Sequence, residues 1–175
     1  MEQPTREDEA GPSKWRYEAI MHHCIEKNVY DFGCGSAHGS RILAEIANNV
    51  QAYDKVKEIF KQHKYVKFTD DPIDVDIVTA VEVIEHIKRD KLHDLMTMFT
   101  NIAQELVITT PNGDLYPYHP ERIIERRGYH EWHYTKNELY VLMRKYYRFA
   151  IIDPIIWDPY LEKFTGYKAY ASNKD

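Results

Sequence analysis

Two constellations in this sequence carry side chains able to do chemistry. One is Glu82-Val-Ile-Glu85-His86. On a helical turn, positions 82, 85 and 86 share a face, which would bring two carboxylates and an imidazole together. That set suits a divalent cation such as Mg²⁺ or Mn²⁺. The same acids also serve as helix caps, and the histidine as a structural residue. The other constellation is Asp31-Phe-Gly33-Cys34-Gly35-Ser-Ala37-His-Gly39. A strand running through glycines into a helix brings backbone close to a ligand and aims N–H groups at it, although the same pattern also makes a plain tight turn. Asp54, 23 residues after Asp31, ends the next strand. An acid there commonly binds both hydroxyls of an adenosine ribose. Asp70 and Asp71 follow the third strand on the same rim. His119, His130 and His133 lie in an aromatic loop, where His119 and His133 read either as a base or as surface residues. Cys34 reads as a small buried filler rather than a nucleophile.

The elements that must hold these groups alternate. Residues 28–32, 51–53, 65–68, 76–80 and 105–109 read as strands. Helices are expected from Ser13, over a stretch with Ile42, Leu43, Ile46 and Ala47 on one face, and across 56–62 and 88–101. The apolar run 76–80 suggests burial on both faces, as in a parallel sheet. Thr135 and Glu138 form a capping box opening a helix to Lys145. Residues 147–152 and 166–171 read as a late antiparallel pair joined by 154–159, and 115–133 as a long loop. Alternation of this kind means an α/β domain with a mostly parallel sheet. Residues 1–12 look disordered, leaving 13–175 as a single domain.

Composition narrows the function. No apolar run approaches the roughly 18 residues of a membrane span, and the acidic start is no signal peptide. Two cysteines make neither a disulfide framework nor a zinc knuckle, so a cytoplasmic setting is expected. A net charge of −5 argues against a protein living on nucleic-acid phosphates. Residues 1–110 carry −6 and residues 111–175 carry +1, with 10 of the 14 tyrosines after residue 110, which marks two functional halves. Arg122, Arg126 and Arg127 read as a solvated basic face.

Asp31-Phe-Gly-Cys-Gly-Ser-Ala-His-Gly-Ser resembles the first motif of class I S-adenosylmethionine (SAM)-dependent methyltransferases, departing at Ala37, where many members have glycine. Trp15-Arg16-Tyr17-Glu18, Glu82-Val-Ile-Glu85-His86 and Thr109-Thr-Pro-Asn112 resemble further signatures of the group, and together the likeness spans about residues 13–150. It implies a Rossmann-like seven-stranded, mostly parallel sheet in the order 3-2-1-4-5-7-6 with an antiparallel C-terminal hairpin. It further implies that Asp31, Gly33 and Gly35 border the methionine moiety, Asp54 holds the ribose, Asp70 sits by the adenine amine, Val81 lies against the cofactor and Arg16 reaches its carboxylate. Glu-x-x-Glu-His with a late histidine is similar to the layout of ubiquinone-pathway and small-RNA 2′-O-methyltransferases, making Glu82, Glu85, His86 and His130 the cation ligands. Without a cation, His130 is left as the general base.

In that strand order the six residues between Phe68 and Val75 must cross about 14 Å of sheet and reach its opposite end. The diagonal of about 20 Å leaves room for a straight link only, with no helix. The expected activity is O-methyl transfer from SAM to a sugar or other small hydroxylated acceptor. An RNA 3′ end is the alternative acceptor, and a SAM-binding module without transfer is a third reading. With no sizeable insertion to build a lid, a partner subunit is a candidate to complete the substrate site.

Overall fold

The apolar runs assemble side by side. The computed structural model describes residues 10–56, 64–115 and 130–174. Strands β1 (Asn28–Phe32), β2 (Asn49–Tyr53), β3 (Val66–Phe68), β4 (Ile77–Val81), β5 (Glu105–Pro111), β6 (Phe149–Asp158) and β7 (Lys163–Ser172) form one sheet in the order β3-β2-β1-β4-β5-β7-β6. The first five are parallel, and β7 runs antiparallel between β5 and β6, as expected. All five β4 residues are buried because helices cover both faces of the central strands. Helices α1 (Ala10–Ile20) and α2 (His38–Leu43) lie with one core layer, through Tyr17, Ile20 and Leu43. Helices α3 (Arg89–Ile102) and α4 (Lys136–Tyr146) contribute Met96, Phe99, Leu139 and Met143 to the other. Burying each such side chain stabilises by roughly 1.5–3 kcal/mol.

The link from β3 to β4 is helix-free, as its length requires. The Gln51 side chain grips it midway: Nε2 donates to the Ile73 carbonyl at 2.6 Å and Oε1 accepts from the Ile73 N–H at 3.1 Å. The Thr135–Glu138 capping box forms in full and opens α4.

Three elements depart from the sequence reading. Helix α2 ends at Leu43, so Ile46 and Ala47 sit in turns, although they still pack on the core. The terminal strands are longer than expected. Pro154 and Ile155 lie within β6 and pair with Tyr167 and Gly166. Proline is tolerated there because β6 is the sheet edge, where a strand does without some N–H donors. Of the tail expected over 1–12, Ala10–Pro12 instead open α1; residues 1–9, residues 57–62 of the helix expected over 56–62, and the basic stretch Arg122, Arg126 and Arg127 fall outside the described residues.

At the foot of the sheet, buried Glu105 accepts from Lys27 Nζ at 2.6 Å, from Tyr170 Oη at 2.8 Å, and from Lys174 Nζ. Burial works against its charge, but the Lys174, Lys27 and Tyr170 bonds outweigh that and hold the carboxyl below its ordinary value. A carboxyl depressed on folding stabilises above its unfolded pKa and loses that contribution as pH falls through the folded value. Glu105→Gln is therefore expected to cost about 2 kcal/mol at pH 7. The gap from wild type should narrow below about pH 4.5 in urea unfolding curves taken across pH.

Candidate active site

Strand β1 delivers the chain to a turn that only particular backbone angles can close. Gly33 has φ +76° and Gly35 φ +54°. The N–H groups of Gly33 and Cys34 donate to the Tyr53 carbonyl at 2.7 and 2.9 Å, tying the turn to the end of β2. Asp54 clamps it further: Oδ2 accepts from the Gly35 N–H at 2.9 Å, and Oδ1 from the Val56 N–H at 3.0 Å. Ala37, where the resemblance led to an expectation of glycine, has φ +59° at the N-cap of α2. The left-handed geometry that favours glycine is thus kept.

Beside this turn lies a cavity of about 590 Å³ lined by Phe32, Gly33, Tyr53, Asp54, Lys55, Glu82, Val83, His86 and Ile87. Phe32 and Tyr53, the last residues of β1 and β2, stack with ring centroids 4.9 Å apart. The sequence reading missed these two rings. Their signal is position, since each immediately precedes a residue of the turn or its clamp.

Asp31 is not among the lining residues. It is fully buried, saturated by the hydroxyls of Tyr17 (3.1 Å to each oxygen), Ser40 (2.6 Å) and Thr79 (2.8 Å). Burial raises its pKa, and the Ser40, Thr79 and Tyr17 bonds oppose the rise. These bonds rivet α1, α2 and β4 to the end of β1. Tyr17 reaches Asp31 by lying flat on Gly39, where a Cβ would sit 2.0 Å from the ring. Asp31→Asn turns an amide donor toward hydroxyls that are themselves donating. It is expected to cost about 2–3 kcal/mol, read as a lower urea midpoint with unchanged slope.

Asp70 is exposed after β3 and does not line the cavity, nor does buried Val81. Arg16 lies one residue from the cavity through Glu82: its Nη2 is 3.0 Å from Glu82 Oε2.

The second constellation forms in a different way from that read in the sequence. Glu82 has φ +55° and precedes a 3₁₀ turn at Ile84–His86. Positions 82, 85 and 86 thus do not share a helix face. Glu82 bonds Arg16 and accepts from Thr109 Oγ1 at 3.0 Å. The groups that do converge are Glu85, His86 and His130, each offering a ligand atom within 4.8 Å of the others. His130 is carried there because the Glu131 and Trp132 N–H groups donate to the Glu85 carbonyl at 2.6 and 3.2 Å, while Arg89 stacks 3.7 Å over the Trp132 ring. His130 Nδ1 shares a 2.7 Å hydrogen bond with His133 Nε2. Burial, then the neighbouring His86 and His133, push the His130 pKa down to about 4, so it is a neutral imidazole at physiological pH. His119 lies outside the described residues.

Glu85 is wholly buried. Oε2 accepts from Thr110 Oγ1 at 3.2 Å, and Oε1 has no hydrogen-bond partner among the described residues. Burial, then the charge of Glu82, raise its pKa well above the carboxylate range. Glu85, His86 and His130 together offer one carboxylate and two imidazoles as donors for a divalent cation. The donor set fits Mg²⁺ or Mn²⁺, and its nitrogens also admit Zn²⁺, Co²⁺ or Ni²⁺.

Comparison with known proteins bears on the fold and the family. No curated protein matches the sequence significantly. Solved structures do. The methyltransferase domain of a bacterial Hen1 is 17% identical with a TM-score of 0.67, covering 91% of this chain and 98% of that one. DhpI, solved with SAM, is 15% identical at 0.67, covering 93% and 85%. A Haloferax volcanii methyltransferase in complex with its Trm112 activator is 13% identical at 0.70, covering 97% and 93%. Among the described residues, no helix is long and apolar enough to cross a membrane. The sequence itself matches the family described as "Methyltransferase domain" over residues 7–148, and with that match over most of its length the chain belongs to this family of SAM-dependent methyltransferases.

Proposed function

We propose that this protein, with residues 13–175 acting as one domain, transfers the methyl group of SAM to a hydroxyl of a sugar or other small hydroxylated acceptor, assisted by a divalent cation at Glu85, His86 and His130. The carrying observation is that His86 belongs to both sites: it lines the cavity beside the glycine turn and is part of the three-residue cluster. Asp54 is placed to accept from the ribose hydroxyls, the Phe32–Tyr53 pair to face the adenine, and Gly33 to admit the methionine end. A cation on the cluster would supply Lewis-acid polarisation, lowering the pKa of a bound hydroxyl. The reaction forms an O–C bond as the S–C bond breaks in line, and the hydroxyl proton leaves. Because SAM is already activated, most of the acceleration comes from holding oxygen and methyl in register. His133, bonded to His130 Nδ1, orients that ring so that Nε2 faces the cluster. It is also a proton acceptor at the edge of the site.

A second reading is a 2′-hydroxyl at an RNA 3′ end. It is favoured by likeness to the Hen1 domain and by the near-neutral residues 111–175, and opposed by the overall charge of −5. Labelled SAM offered with sugars, catechols and RNA, with and without Mn²⁺ or Mg²⁺, separates the readings. Chelator-sensitive incorporation into small hydroxylated acceptors supports the first, and incorporation into RNA alone the second. Cofactor binding with no transfer leaves a SAM-binding module. The Haloferax likeness extends the design to a partner subunit, tested by repeating the screen with co-purified proteins.

A further inference from the structure

Arg16 reaches the cavity through its ion pair with the lining residue Glu82. Its Nη2 holds Glu82 at 3.0 Å, and its Nε is buried with no hydrogen-bond partner among the described residues. A carboxylate approaching a guanidinium side-on takes Nε and Nη2 together, and Glu82 occupies Nη2, so a second anion gains that fork only by displacing Glu82. Glu82 lines the cavity yet is absent from the Glu85–His86–His130 group. Its backbone is left-handed at φ +55°, a conformation that costs a non-glycine residue about 1–3 kcal/mol and that clusters at functional sites. Glu82 follows the last residue of β4 and is three residues from Glu85. Its carboxylate is thus a near neighbour of the cluster that Arg16 and Thr109 hold aside.

We propose that Arg16 is a positioning residue that makes cofactor and cation binding mutually reinforcing: the carboxylate of the cofactor's methionine end takes the Arg16 guanidinium, and Glu82, released, turns to a cation on Glu85, His86 and His130. This rests on the function proposed above. Either ligand alone must break the Arg16–Glu82 pair, whereas the second to arrive finds it already broken. The cost is met once for two binding events, which is positive coupling. By linkage the coupling is reciprocal, so each ligand strengthens the other by the same factor. It also orders the site, since a cation is fully held only when the methyl donor is present.

The test needs no turnover. S-adenosylhomocysteine binding is measured by calorimetry with and without Mn²⁺, and Mn²⁺ binding by electron paramagnetic resonance with and without S-adenosylhomocysteine. In the wild-type protein each ligand is expected to tighten the other on the order of 5- to 20-fold, by equal factors. In Glu82→Gln, where Arg16 is free from the start, S-adenosylhomocysteine alone should bind more tightly than to wild type and the Mn²⁺ effect should vanish. In Arg16→Met, Mn²⁺ alone should bind more tightly than to wild type, whereas removal of a merely structural ion pair would weaken it. Arg16→Lys should restore part of the coupling. If Arg16→Met does not fold, the wild-type factors and Glu82→Gln still decide. Both ligands binding the wild-type protein with no mutual effect overturns the coupling and leaves the cation site standing. Absence of any Mn²⁺ binding overturns the cation reading and the coupling with it.

Discussion

Glu85→Gln is expected to lower cation-dependent methyl transfer on the order of 100-fold or more, because the amide keeps the volume but loses the charge a cation needs. The position is buried, and its Oε1 has no partner among the described residues. Among the described residues nothing else requires that oxygen to be charged. Thr110 Oγ1 donates to Oε2, and a glutamine oxygen accepts that bond equally well. Burial and Glu82 both push the carboxyl toward its neutral form, so without a cation the native charge is a liability. The variant should therefore be at least as stable to urea as wild type, while Mn²⁺ binding collapses. S-adenosylhomocysteine affinity measured without metal should change little, because Gly33 and Asp54 line the cavity and Glu85 does not. Unchanged turnover in chelator-treated wild type and in Glu85→Gln alike would remove the cation and leave His130 and His133 as the proton-handling pair.

Gly33→Ala is expected to cut cofactor affinity about 100-fold and to cost about 1–3 kcal/mol of stability. Two effects add. The backbone angle of φ +76° is one that alanine rarely adopts, and the new Cβ would lie 2.5 Å from Val83 Cγ2. Val83 is β-branched and stiff at χ1, so it moves as a unit, and it lines the same cavity as Gly33. Relief of the clash must therefore distort the pocket. Gly35 is the contrast. It closes the same turn, but a Cβ there meets no atom within 4 Å. Gly35→Ala should carry only the backbone cost of its φ +54°, about 1 kcal/mol. Calorimetric titration of both variants with S-adenosylhomocysteine checks the ranking, and equal losses would mean that the backbone angle, not the Val83 contact, sets the pocket.

Much of the scaffold was legible in the residues themselves. Asn28–Phe32, the glycine turn, the run at 77–81 and the Thr135–Glu138 cap each carry their instruction within about ten residues. Their signals are local: apolar runs, glycine placement and a hydroxyl three residues ahead of a carboxylate. The strand order came from likeness rather than periodicity, yet the link after β3, read as six residues and observed as eight (69–76), was short enough to exclude a crossover helix. Tertiary structure decided what each charged group faces. Asp31 belongs to the glycine motif, but its partners sit at 17, 40 and 79, brought together only by packing α1 on Gly39 and by pairing β1 with β4. Spacing placed Glu82 with Glu85 and His86, whereas its left-handed backbone and Arg16, 66 residues earlier, hold it aside. His130 joined the cluster because the Glu85 carbonyl accepts from the backbone just after it, a bond between residues about 45 apart. Sequence spacing reports which side chains share a local face. A buried charge settles by finding donors wherever the folded chain supplies them, because leaving it unpaired costs more than any local preference.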